Sequence, residues 1–70
     1  MELTEILGRN VRAARKARGL SQEALALEAD MKRSYLSDLE RGTRNPTIKA
    51  LGRLAEALGV SPASLLAAET

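Results

Sequence analysis

Apolar residues recur along the chain at spacings of three and four, and each such run is closed by a glycine or a polar residue before the next begins. Leu3, Leu7, Val11 and Ala14 form one stripe, which predicts a helix from about Thr4 to Lys16, with Gly19 as its stop. In "LSQEAL" Ser21 is a good helix cap, and Leu20 with Leu25 has the spacing of a hydrophobic staple. A short second helix, about Gln22 to Ala29, follows. Asp30 tolerates a turn conformation, and Met31 with Leu36 repeats the staple spacing. Helix three then runs from about Arg33 to Arg41, with Leu36 and Leu39 inward and Gly42 at its end. Lys32 stands where its cap belongs, and lysine caps poorly.

The loop "GTRNP" holds two turn signals, and Thr47 after Pro46 marks a fresh start. Helix four, about Ile48 to Leu58, carries Ile48, Leu51, Ala55 and Leu58 along one side, broadened by Leu54. After Gly59, "VSPASLL" gives the cleanest start in the chain: Ser61 as cap, Pro62 at the first helical position, and Val60 with Leu65 as staple. The pattern predicts an all-α domain over residues 1–70, five short helices in an orthogonal bundle. No alternating segment is long enough for a strand.

Composition narrows the chemistry. Hydrophobic residues are 44 % of the 70, and Tyr35 is the lone aromatic; the rest are aliphatic residues that fill packed helices. A chain of this length buries only about 60 % of the surface its unfolded form exposes, so stability is modest unless a partner adds to it. Without Cys or His, disulfides, thiolate chemistry and ordinary zinc sites are excluded, and no cofactor or metal is implied. Acid–base and nucleophilic catalysis lack material too, so no enzyme is expected. No apolar run approaches a membrane span, and Glu2 and Glu5 stand where a secretory signal would be basic. No membrane association and a cytoplasmic location are expected.

Net charge is only +2, yet all eleven Lys and Arg fall between Arg9 and Arg53, and the last seventeen residues carry only Glu56 and Glu69. That asymmetry suggests separate charge-bearing and packing surfaces. Two short helices about three residues apart, the second opening with "KRS", have the arrangement of a helix-turn-helix. Such a pair crosses steeply and exposes the first half of its second helix. A helix so presented fits the DNA major groove, where base edges carry distinguishable donors and acceptors.

"LSQEALALEADMKRSYLSDLERGTRNPTIKALGRLAEALGVS" resembles the Cro/phage-repressor, or XRE, family of helix-turn-helix domains, especially compact members such as restriction-modification controller proteins. The likeness spans about Leu3 to Leu66 and implies a five-helix lambda-repressor-like fold. It implies that Gln22 touches a backbone phosphate and steadies a residue on the reading helix. Lys32, Arg33, Ser34 and Asp38 would face the major groove, and Ala26 would occupy the close contact between helices two and three. Arg15 and Glu40 would form an internal salt bridge. The sequence departs from the family pattern at Lys32, usually Ser or Thr, and at Asp30, commonly Gly.

On that face Arg33 suits bidentate bonding to guanine O6 and N7. Asp38 requires either a cytosine amino group or a neighbouring Arg33 or Arg41 to orient, because a bare carboxylate near phosphates is unfavourable. Ser34 is small enough for close approach, and Thr43, Arg44 and Asn45 lie where flanking phosphates would pass. The helix-one residues Arg9, Arg12, Lys16 and Arg18 either reach phosphate or form pairs such as Glu5 with Arg9. The Tyr35 hydroxyl is either free or on a phosphate.

One reading helix covers few base pairs, so a homodimer on a roughly palindromic double-stranded DNA operator is expected, regulating transcription by site occupancy. Its surface is expected within residues 54–70, with Leu65 or Leu66 facing the partner. Activation would need contact with RNA polymerase, for which no residue pattern is diagnostic. The alternative is an antitoxin-like protein-interaction module that also binds DNA, although these 70 residues show no acidic stretch suited to wrapping a toxin. RNA binding would lack stacking aromatics.

Overall fold

The first four helices end alike. A residue in the left-handed region, Gly19, Asp30, Gly42 or Gly59, follows each one. The next N–H then returns to the carbonyl five residues earlier: Leu20 to Arg15 at 3.1 Å, Met31 to Ala26 at 2.9 Å, Thr43 to Asp38 at 3.1 Å and Val60 to Ala55 at 3.0 Å. This double-turn closure satisfies carbonyls that the helix leaves unpaired. Asp30 is the non-glycine among the four, at φ 55°, a conformation its short polar side chain tolerates.

The computed structural model describes residues 1–68 and contains α1 (Leu3–Ala17), α2 (Gln22–Glu28), α3 (Arg33–Glu40), α4 (Ile48–Leu58) and α5 (Pro62–Leu65). No strand occurs among the described residues. Three helix starts are capped by hydroxyls: Ser21 accepts from Ala24 N–H at 3.0 Å, Thr47 from Ala50 at 3.0 Å and Ser61 from Ser64 at 3.2 Å. Lys32 precedes α3 without a side-chain cap bond. The ends differ from the sequence expectation by a residue at α1, α2 and α3, within the fraying of helix termini.

Every helix contributes to one core: Leu7 and Val11 from α1, Leu25 from α2, Leu36 and Leu39 from α3, Leu54 and Leu58 from α4, and Leu65 from α5. Leu20 and Met31 pack against it, as their staple spacing predicts, whereas Val60 stays exposed. Two stripe residues are also outside. Leu3 is 57 % and Ile48 83 % exposed, because each is the first residue of its helix and the stripe begins to meet a partner only a turn later.

Leu65 corrects the dimer expectation directly. At 2 % exposure it closes the core and cannot face a partner, whereas Leu66 is half-buried at the edge. The four-residue α5 is further held by Asn10, whose side-chain amide donates to the Leu65 and Ala67 carbonyls, both at 2.9 Å. Residues 69 and 70 of the expected dimer surface lie outside the described residues.

α1 and α3 touch backbone to backbone at Gly8. A methyl group there would stand 2.6 Å from the Leu39 carbonyl oxygen and 2.7 Å from that of Glu40. Together with the buried Ala26, this absence of side-chain bulk sets how closely α3 lies on the bundle.

Candidate nucleic-acid interface

The rear of α3 is apolar up to Glu40, its last residue, and its front is not. Leu36 and Leu39 are fully buried, while Lys32, Arg33 and Ser34 at its start are exposed, and Asp38 is half-exposed on its outer side. An eight-residue helix shows such division only when its neighbours fix its rotation. One agent of that fixation is ionic.

Arg15 is 9 % exposed and the Glu40 side chain 4 %. The guanidinium grips the carboxylate bidentately, Nε to Oε2 at 2.7 Å and Nη2 to Oε1 at 3.0 Å. Its Nη1 donates to the Leu20 carbonyl at 2.8 Å. Gln22 Nε2 adds a third bond to Glu40, at 3.1 Å to Oε1. One buried carboxylate therefore joins α1, the α1–α2 turn and the start of α2 to the last residue of α3. Hydrogen bonding to Glu40 raises the Arg15 pKa above its ordinary value, outweighing desolvation, so this guanidinium is permanently charged. Among the described residues no buried side-chain polar atom lacks a partner.

Gln22 thus ties the start of α2 to the end of α3 through Glu40, and no second side-chain bond of its amide occurs among the described residues. Thr43, Arg44 and Asn45 are exposed in the loop after α3. Asp38 does not orient Arg33. Its carboxylate instead accepts from Arg41 and, at 3.5 Å, from Arg44 Nη2. The suggested Glu5–Arg9 pairing is also replaced, since Glu5 accepts the Glu2 N–H at 3.0 Å and Arg9 Nη1 lies 3.5 Å from Met1 Sδ. Arg18 turns away from this side to the Ala57 carbonyl.

Sequence reasoning missed Gly8, Asn10 and the attachment of Arg44. The first two act on backbone carbonyls remote in sequence, which leave no local pattern. For Arg44 the available signal was an acidic residue six positions before a basic one, across a glycine stop.

A short capped helix, a tight left-handed turn and a second helix anchored from behind define a helix-turn-helix domain. The helix-turn-helix family model HTH_3 matches residues 11–65, and the chain belongs to this XRE-type family. Control protein C.BamHI of Bacillus amyloliquefaciens is 45 % identical over 62 residues, covering 87 % of this chain and 76 % of that protein. The crystal structure of the restriction-modification controller protein C.AhdI from Aeromonas hydrophila aligns with a TM-score of 0.86 at 40 % identity, over 89 % of this chain and 94 % of that one. The biofilm master regulator SinR, solved in complex with DNA, aligns with a TM-score of 0.84 at 37 % identity, over 87 % of this chain and 98 % of that one.

Proposed function

We propose that this protein is a sequence-specific double-stranded-DNA-binding regulator of transcription, acting as a homodimer on a roughly palindromic operator. The observation that carries the reading is the presentation of α3: Lys32, Arg33 and Ser34 are free at its start while Leu36 and Leu39 hold it from behind. Its likeness to a regulator crystallised on DNA supports the same reading.

Arg33 is assigned to a guanine edge, a contact worth about 1–3 kcal/mol of discrimination, with Ser34 close beside it. Lys32, Arg44, Thr43, Asn45 and Gln22 are assigned to phosphates; these contacts set position rather than sequence.

A second copy of the chain is assigned to the open groove of about 290 Å³ lined by Leu3, Leu7, Pro46, Ile48, Leu51 and Leu66. Leu3 and Ile48 are exposed at its rim and Leu66 is half-buried beside them, over a floor of the core residues Leu7 and Leu51; exposed apolar side chains gathered so mark an interaction surface. Leu66 remains from the expected dimer surface; Leu65 does not.

Selection of bound duplexes from a random pool, followed by sizing of the complex, tests the whole reading. The expected product is a site with two dyad-related halves, holding two chains and weakening steeply as salt rises. Equal affinity for the selected and random duplexes at physiological salt would overturn it.

A further inference from the structure

Asp38 lies between two arginines that reach it from different parts of the chain. Arg41, one turn further along, bonds Oδ1, and Arg44 Nη2 from the following loop lies 3.5 Å from Oδ2. The Arg44 guanidinium carbon also stands 4.5 Å from the centre of the Tyr35 ring, one turn before Asp38. The loop is fastened at its root, because Thr43 gives its N–H and its hydroxyl, each at 3.1 Å, to the Asp38 carbonyl.

An isolated exposed ion pair restrains little, but a carboxylate shared by two guanidiniums, one of them stacked on an aromatic ring, is a network. Without the carboxylate the two cations repel each other and move freely on long side chains.

We propose that Asp38 determines specificity as a positioning residue: it fixes Arg41 and Arg44 beside the reading helix, so that both meet backbone phosphates in a single register of protein on duplex. This rests on the DNA-binding reading above. A free arginine reaches whichever phosphate is nearest, and such contacts carry no sequence information. A fixed one meets phosphate only where Arg33 also meets its base. Asp38 therefore acts mainly against non-target duplex.

The test compares the full chain and its variants on the selected duplex and on random duplex of equal length. Asp38→Asn is expected to tighten random binding about fivefold, to change selected binding by less than about twofold, and to steepen the random-duplex salt slope by about 0.9, one added phosphate contact. Asp30→Asn removes the same charge from an exposed turn and is expected to preserve the parent's ratio, as is Asp38→Glu. With Arg41 and Arg44 both changed to Gln, Asp38→Asn is expected to leave the ratio unaltered, since nothing remains to position.

Equal shifts on both duplexes overturn the proposal, as does an undiminished effect in the double-Gln background. Loss of discrimination in Asp38→Glu with a lowered melting temperature marks a structural role and overturns it too. A parent that prefers no duplex removes the DNA reading and this proposal together. A parent that discriminates, beside an Asp38→Asn variant that discriminates equally, removes this proposal alone.

Discussion

At the scale of single residues, Glu40 carries the largest consequence. Its carboxylate accepts three bonds in a nearly dry site, two from Arg15 and one from Gln22. Replacing it by Gln leaves the Arg15 guanidinium buried without its counter-charge, and breaking a buried pair in this way costs about 3–5 kcal/mol. For a domain of this size each kcal/mol moves the melting temperature by about 4–8 °C, so Glu40→Gln is expected to melt more than about 10 °C below the parent. A variant melting with the parent would show the pair to be ornamental. Because the Arg15 pKa is raised on folding, the stabilisation that rests on Arg15 carrying its proton is present at neutral pH and is lost only as pH climbs through the raised value. Likeness to the family pointed to Arg15 and Glu40, but not to the Leu20 carbonyl that completes the guanidinium's bonding. Backbone acceptors are invisible in a sequence, which also explains why Asn10 and its two carbonyls gave no warning.

At the scale of the element, two glycines inside helices predict opposite outcomes. Gly8 faces the Leu39 and Glu40 carbonyl oxygens within 2.7 Å of a would-be methyl group, whereas Gly52 in α4 meets nothing within 4 Å. Alanine gains about 1 kcal/mol of helix propensity at either site. At Gly52 that gain stands alone, and Gly52→Ala is expected to raise stability by about 0.5–1 kcal/mol in a denaturant titration. At Gly8 the clash with rigid backbone exceeds it, so Gly8→Ala is expected to lose about 1–3 kcal/mol as α1 and α3 are forced apart. The cap of α3 separates stability from function: Lys32→Ser supplies the missing acceptor and is expected to add about 1 kcal/mol while weakening DNA binding. A melt without gain, or a titration without loss, contradicts the corresponding half. Helix ends were legible because caps and left-handed stops are local chemistry: Ser21, Thr47 and Ser61 cap where expected, and Asp30 takes the conformation its turn demanded. The outward positions of Leu3 and Ile48 were not legible. Periodicity gives the direction of a stripe but not how far the neighbouring helix extends along it.

At the scale of the whole molecule, size decides how many chains an operator must hold. Among the described residues the longest extent is 29 Å and α3 occurs once, against the roughly 34–36 Å that separates successive half-sites on one face of B-DNA, so one chain offers its α3 to one half-site only. A second copy is required if the site is palindromic, and the groove beside Ile48 is the surface assigned to it. Ile48 is the sharpest probe because its side chain serves no core contact: exposed substitutions ordinarily alter stability by less than about 0.5 kcal/mol. Ile48→Gln keeps the charge unchanged and makes the groove polar. It is expected to melt with the parent, to elute as one chain at concentrations where the parent elutes as two, and to lose at least about tenfold in affinity for the two-half site, equivalent to ~1.4 kcal/mol. Affinity for a single half-site should stay as it was, because the α3 surface is untouched. A variant that still elutes as two chains would place the partner on another face, and the exposed residues around α5, left clear by the inward turn of Leu65, would be the next to change.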